Sequence, residues 1–316
     1  MRFSVLGSGS GGNATVVEAG GLRLLVDAGL SAKQLVTRMQ SIGIDPKSLH
    51  GVLLTHEHGD HVRGLKVLLK QFSIPVFATH ATARVVRETG IDGGTWKLFE
   101  AGQAFTVSEV EIDPFSIQHD AVDPVGFVIA YQGRRLGVVS DAGFVTRSMT
   151  ERLRNLHTLF VEANYDDALL EADTKRPWST KQRISSRHGH LSNKQVADLL
   201  CEIAHPLLTR VVLGHLSSDC NCPKVVTRTL RECLEGLGHK TVDLHCASQE
   251  VPSDWFTVGT APAIEAIEVI ETIGIVETIE IIGTVETPLP PEPVSPPPSA
   301  DRSGQHPPDL LQGWLL

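Results

Sequence analysis

The chain has 316 residues, 41% of them hydrophobic and 21% charged, the proportions of a folded globular protein. That length suits one large domain or two small ones, with ample surface to bury. The formal net charge is -9, but nine acidic residues against one basic lie from Gly259 onward, so the first 258 residues are nearly neutral and no overall basic field draws nucleic acid.

Phe3-Ser4-Val5-Leu6 reads as a strand directly after Met1-Arg2, so a cytoplasmic protein without a signal peptide is expected, and no apolar run is long enough to span a bilayer. The strand enters Gly7-Ser8-Gly9-Ser10-Gly11-Gly12. Gly7, Gly9 and Gly12 satisfy G-x-G-x-x-G, the dinucleotide fingerprint, which requires a helix next. Residues 14–18, Gly20-Gly21 and residues 22–26 instead read as strand, turn and strand, and the dinucleotide reading is rejected. The loop ends in Asn13 and can still bring backbone N–H groups to an anionic substrate, which makes Asn13 a candidate substrate-binding residue. The third strand ends at Asp27, and residues 31–40 read as a helix.

The apolar run 51–54 ends in Thr55-His56-Glu57-His58-Gly59-Asp60-His61, before an amphipathic helix carrying Val62, Leu65, Leu68 and Leu69. Imidazole and carboxylate are the ordinary ligands of zinc and of other first-row divalent metals. In H-x-H-x-D-H, His56 and His58 alternate out of the strand end and can reach one ion. Asp60 and His61, turned by the start of the helix, can reach a second.

A strand at 76–78 and a helix at 81–88 follow, with His80 read as a neighbour of the helix cap. Strands are expected at 110–118, 126–131 and 135–139, the first ending before His119 and the last before Asp141. Residues 159–164 read as a strand whose end carries Glu162. A basic stretch then holds Lys175, Arg176, Lys181, Arg183 and Arg187, of which Lys181, Arg183 and Arg187 are candidates for substrate phosphates. Ser192 can cap a helix over 193–204, which places His190 beside the helix start. Residues 210–217 read as a strand whose end carries His215. A helix at 224–237 and a strand at 241–245 complete the domain, with Trp255-Phe256 as its last packed residues. The cysteines (Cys201, Cys220, Cys222, Cys233, Cys246) are odd in number and late in the chain, as incidental thiols of a reduced compartment would be. Beyond them a nine-residue repeat (268–276, then 277–285) and a proline-rich run (288–298) read as a low-complexity, disordered tail.

T-H-x-H-x-D-H resembles the metal-binding motif of the metallo-β-lactamase superfamily. The resemblance implies an α/β fold, a four-layer αββα sandwich over residues 1–258, with 259–316 as an appendage. It implies two divalent ions, Zn2+ or Mn2+, one held by His56, His58, His119 and Asp141 and the other by Asp60, His61, Asp141 and His215. Asp27 would lie beneath them and orient a ligand. Gly189-His190-Leu191-Ser192-Asn193 resembles the second histidine motif of tRNase Z-like phosphodiesterases. That adds His190 as the acid for the leaving oxygen and Glu162 as its support, with Asp60 the third catalytic candidate and His188 the competitor of His190.

The whole domain is similar to the YycJ/WalJ-type exonucleases. The similarity rests on G-S-G-S-G-G-N-A-T, T-H-E-H-G-D-H, V-E-A-N-Y-D, R-P-W-S-T-K-Q-R-I-S-S-R-H-G-H-L-S-N and L-G-H-L-S-S-D-C-N. It implies a 5′-to-3′ DNA exonuclease with nucleic acid as partner, no membrane, and a homodimer as a candidate assembly. The β-CASP insertion of RNase J-type nucleases is absent. A small-molecule hydrolase acting on a lactone, thioester or cyclic phosphodiester competes, favoured by the scarcity of aromatic platforms for bases. A metal-binding regulatory protein is the third, non-enzymatic reading.

Overall fold

Residues 1–260 are described by the structure, a computed structural model; the repeat and proline-rich segment beyond them lies outside the described residues. The first half of the domain runs β1 (Arg2–Gly7), β2 (Ala14–Ala19), β3 (Leu22–Val26), α1 (Ala32–Ser41), β4 (Gly51–Leu53), α2 (Gly59–Val62), α3 (Leu65–Gln71), β5 (Val76–Thr79), α4 (His80–Glu88) and β6 (Trp96–Phe99). The second half runs β7 (Phe105–Val107), β8 (Val110–Ser116), β9 (Val125–Tyr131), β10 (Arg134–Val139), α5 (Arg147–Arg152), β11 (Thr158–Glu162), α6 (Asp167–Ala172), α7 (Trp178–Ile184), α8 (Asn193–Ile203), β12 (Arg210–Gly214), α9 (Pro223–Gly236), β13 (Asp243–Cys246) and β14 (Phe256–Thr257).

The strands form two sheets of seven, ordered β14-β1-β2-β3-β4-β5-β6 and β13-β12-β11-β10-β9-β8-β7. Each sheet is part antiparallel meander and part parallel, with helical crossovers between the parallel strands. Side chains alternate across a strand, so each strand serves two layers. Phe160 of β11 and Val212 of β12 pack between the sheets with Phe3, Val5, Leu24 and Phe127. Their neighbours Leu159, Val161, Val211 and Leu213 face the opposite way, onto α5, α8 and α9. In the first sheet Leu25, Val52 and Val76 likewise face α1, α3 and α4. The result is helix, sheet, sheet, helix, the expected αββα sandwich.

Several helices begin where the sequence supplies caps. Ser31 with Gln34 and Ser192 with Gln195 each form a reciprocal capping box, opening α1 and α8. Two local readings are revised. The helix after the metal loop is broken into α2 and α3 around Arg63-Gly64, because the Gly64 N–H leaves the helix and donates to the Ala28 carbonyl at 2.8 Å, a contact that also leaves no room for a side chain. The basic stretch contains a helix, α7, which its single charged-and-polar run did not disclose.

The ends of β3, β4, β8, β10, β11 and β12 open on one edge. β8 points the same way as β10 because both are antiparallel to β9. The sheets are tied there by the Val125 N–H to the Thr55 carbonyl at 3.0 Å and the His215 N–H to Ser8 Oγ at 2.8 Å.

β14 pairs with β1, and its Phe256 and the following Val258 are buried. A buried Phe or Val contributes about 1.5–3 kcal/mol, so a truncation must spare both. Deleting residues 261–316 is therefore expected to leave the melting temperature within about 2 °C, less than a 1 kcal/mol loss produces in a domain this size. Thermal melts and rates of the full and shortened chains check this. Failure of residues 1–260 to fold would place essential core in the tail.

Candidate metal centre

Asp27, Asp141 and His215 follow β3, β10 and β12, and all three have positive φ, 59°, 52° and 51°. Left-handed backbone is costly for a residue with a side chain, though Asp, Asn and His tolerate it best. Such strain collected at strand ends re-aims each side chain into the crevice between the sheets. The glycine loop and the metal loop interlock there. The Asn13 N–H donates to the Asp60 carbonyl at 2.8 Å. A Cβ on Gly29 would fall 1.5 Å from that same oxygen, so only glycine fits.

The seven expected donors, His56, His58, Asp60, His61, His119, Asp141 and His215, meet in this crevice. Three groups of potential ligand atoms form: His56, His58 and His119; His56, His61 and Asp141; and Asp141, Glu162, His190 and His215, each within 4.8 Å internally. The far nitrogen of each imidazole decides what the near one offers. The Thr55 hydroxyl gives its one proton to Asp27 Oδ2 at 2.8 Å, so it accepts from His56 Nδ1 at 3.0 Å. That leaves His56 Nε2 a bare lone pair, buried and without a partner. The Gly189 carbonyl takes the His119 Nδ1 proton at 3.0 Å, and the Asp120 carbonyl faces His58 Nε2 at 3.3 Å. His119 Nε2 and His58 Nδ1 then point lone pairs at each other across 3.3 Å. Converging lone pairs repel unless a cation lies among them, so this donor set fits a divalent metal.

The second half of the centre is richer in carboxylate. Asp27 Oδ2 lies 2.8 Å from His61 Nδ1 and turns Nε2 toward Asp141 Oδ2, also at 2.8 Å. His215 directs Nδ1 at Asp141 Oδ1, 3.0 Å away, and its buried Nε2 has no hydrogen-bond partner. Asp60 Oδ2 is 3.8 Å from both His61 Nε2 and His215 Nε2. Burial disfavours a charged His61, but Asp27 and Asp141 outweigh it and hold its pKa well above the ordinary imidazole range. For His215 the same contest, burial against Asp141 and Glu162, ends at about 10. Burial would raise the pKa of Asp141, yet His215 and His61 hold it well below the carboxylate range. These protons sit where a metal cation would satisfy the same carboxylates.

Glu162 is fully buried at the end of β11. It accepts from the backbone N–H groups of Ala142 and Leu191 and lies 3.0 Å from His190 Nδ1. Nε2 is therefore the His190 nitrogen left for the cleft. Burial lowers the pKa of His190, but Glu162 and then Asp141 more than offset it, and the net shift is upward. His190 is placed by α7, whose Ile184 carbonyl accepts the His190 N–H at 2.9 Å. Gly189 packs against the carbonyls of Arg183 and Ile184, too close for any Cβ. His188 is exposed, and its carbonyl accepts from the Asp120 N–H at 3.1 Å.

The candidate substrate residues are placed differently from the expectation. Asn13 is buried in the network itself, its Nδ2 3.1 Å from His61 Nε2 and 3.4 Å from Asp60 Oδ2. Most of the basic stretch is already partnered. Arg183 pairs with Asp120 at 2.6 Å and Arg176 with Asp173 and Asp219, while Lys175 also holds Asp219. Lys181 donates to the Glu171 carbonyl at 2.8 Å, and Arg187 lies over the Phe144 ring at 4.3 Å. Arg176 and Arg183 still line a cavity of about 200 Å³ with His190 and His215; Lys181 and Arg187 do not. Sequence reasoning missed Thr55 and Asp120, which set imidazole tautomers and anchor Arg183. Their only signal was adjacency to His56 and His119.

A model of the β-lactamase superfamily domain matches residues 22–216. The chain is 30% identical to the exodeoxyribonuclease YycJ of Bacillus anthracis over 258 residues, 80% of this chain and 97% of that protein. It is 31% identical to the exodeoxyribonuclease WalJ of Streptococcus pneumoniae, over 73% of this chain and 87% of that one. Among solved structures it is similar to the metallo-β-lactamase fold protein YhfI from Bacillus subtilis (TM-score 0.62, 15% identity, 80% of this chain and 99% of that). It is also similar to the short form of human tRNase Z (TM-score 0.57, 18% identity, 80% and 99%). At those identities the two structures speak for the fold alone. No helix among the described residues is long and apolar enough to cross a membrane.

Proposed function

The chain belongs to the β-lactamase superfamily as a metal-dependent hydrolase, and on that premise we propose that it cleaves phosphodiester bonds as a 5′-to-3′ DNA exonuclease with two divalent ions. The observation that carries this reading is the Glu162–His190 pair beside His215, at the wall of the cleft. A thioester expels a thiolate, which departs without a proton, whereas the alkoxide released from a phosphodiester needs such an acid. The relatives named exodeoxyribonucleases support DNA over RNA.

His56, His58 and His119 with Asp141 would hold one ion, and Asp60, His61 and His215 with Asp141 the other. Two divalent ions, when bound, polarise phosphoryl oxygens and lower the pKa of water, which supplies a nucleophile at neutral pH. The imidazole-rich set suits zinc, while the carboxylates of the other also admit manganese. The chain supplies the rest. Asp27 and Thr55 fix the tautomers of His61 and His56. Glu162 holds Nδ1 of His190, so that the proton delivered to the leaving oxygen comes from Nε2. Arg183, anchored by Asp120, keeps a guanidinium on the cleft wall where a non-bridging phosphate oxygen can be met.

Metal-loaded protein should release nucleotides from the 5′ end of labelled DNA faster than from RNA, with weaker action on a generic diester and none on a lactone. Fastest turnover of the lactone would overturn the phosphodiesterase reading. Elemental analysis of protein purified without chelator should find about two zinc or manganese ions per chain. A metal-free protein with full activity would sink the centre as drawn.

A further inference from the structure

α7 has two working faces. Thr180, Arg183 and Ile184 line the cavity that contains His190 and His215. Trp178, Lys181, Gln182 and Ser185, at i, i+3, i+4 and i+7, line a separate cavity of about 230 Å³ whose opposite wall includes Tyr165 and Leu170. Trp178 is 70% exposed and is the one aromatic among the large exposed apolar side chains of the described residues. An indole left in water beside a cavity is an unused apolar surface with a π face, and none of the core packing requires it.

We infer that Trp178 and the cavity on the outer face of α7 hold an unpaired nucleobase of the substrate strand, while the strand crosses α7 to place a phosphate in the catalytic cleft. The inference rests on the phosphodiesterase reading and names a positioning subsite for it. Three features select a base over other flat apolar ligands. Guanidinium and ammonium donors lie along the path across α7, with Lys181 on this cavity and Arg176 and Arg183, each held by an aspartate, on the next. Asp167 and Glu171 on the cavity wall offer acceptors to the amino groups that bases carry on their edges. The two cavities are separated by one helix, roughly 10–12 Å with its side chains, which about three nucleotides of stacked strand cover at ~3.4 Å each.

Stacking on an aromatic side chain tolerates any base and is lost on truncation. With the full-length, metal-loaded protein and a single-stranded oligonucleotide, Trp178→Ala should raise KM by about five- to a hundredfold, and Trp178→Phe should restore most of it. The loss should exceed that on bis(4-nitrophenyl) phosphate, which has no base. An abasic residue placed in turn along the strand should cost the wild type a similar factor at one position, and the alanine variant nothing more at that position. Oligonucleotide should quench a component of tryptophan fluorescence that Trp178→Phe lacks. Equal KM for the alanine variant and the wild type, or abasic and alanine losses that multiply, would overturn the inference. A wild type that cuts neither DNA nor RNA would overturn the functional reading instead, and quenching, which needs no turnover, would still decide the role of Trp178.

Discussion

Asp141→Ala should bind less metal than any other single replacement in the centre, and its turnover should fall by at least ~10²–10³, the scale of losing one preorganised electrostatic contact. Both oxygens of this buried carboxylate are engaged. Oδ2 lies 2.8 Å from His61 Nε2 and accepts from Ser140 Oγ at 2.7 Å, while Oδ1 lies 3.0 Å from His215 and 3.3 Å from His190. The carboxylate therefore stands between the groups proposed for the two ions, and its loss removes a donor from each. His215→Ala removes a donor from one group only and should keep more metal. Alanine is strained at a φ of 52°, so Asp141→Asn belongs beside it, since Asn accepts that backbone and keeps the volume. Metal stoichiometry by elemental analysis, with circular dichroism to check the fold, decides the matter. Equal stoichiometry in Asp141→Asn and His215→Ala would argue against a shared carboxylate.

The second large effect is expected at His190. His190→Ala should keep both ions and bind substrate, yet lose roughly 10²–10⁴ in turnover, the usual worth of a positioned acid. Glu162→Gln should lose less through the same step. The double variant should be about as slow as His190→Ala, because members of one relay are not additive. The loss should shrink on a nitrophenyl diester, whose leaving group departs without a proton.

The pH profile follows from the sign of the shift. His190 works protonated, and although burial pulls its pKa down, Glu162 and Asp141 raise it on balance. Rate on a natural diester should be full below that raised pKa and fall as pH climbs through it. Removing the Glu162 charge removes the main raising influence, so the alkaline limb should move to lower pH in Glu162→Gln. Metal loss in His190→Ala would instead make His190 a ligand, a role that its place in one donor group with Asp141, Glu162 and His215 allows sterically.

Much of the architecture was legible in the sequence because its causes are local. Short apolar runs set the strands, the Ser192 cap set one helix start, and strand-turn-strand after Gly12 ruled out a dinucleotide loop. The donors could be gathered because most follow strand ends, with Asp60 and His61 on the short helix α2 that follows β4, and those strand ends share one edge. Asp27 beneath His61 was expected, and the two lie 2.8 Å apart.

What the chain order did not reveal depends on partners far apart in it. Which nitrogen of His119 is bare is decided by the Gly189 carbonyl, 70 positions away, and that of His58 by the Asp120 carbonyl, 62 away. The basic stretch read as a free cationic surface, because a run of like charges carries no record of the acids that fold against it. Asp120, Asp173 and Asp219 neutralise much of it. Asn13 was read as a substrate contact at the end of its loop and lies inside the network, drawn in by the metal loop. Residue spacing determined which side chains could share a metal. Only the packing of the two sheets decided which lone pairs face it, since a hydrogen bond's direction belongs to both partners and sequence names them one at a time.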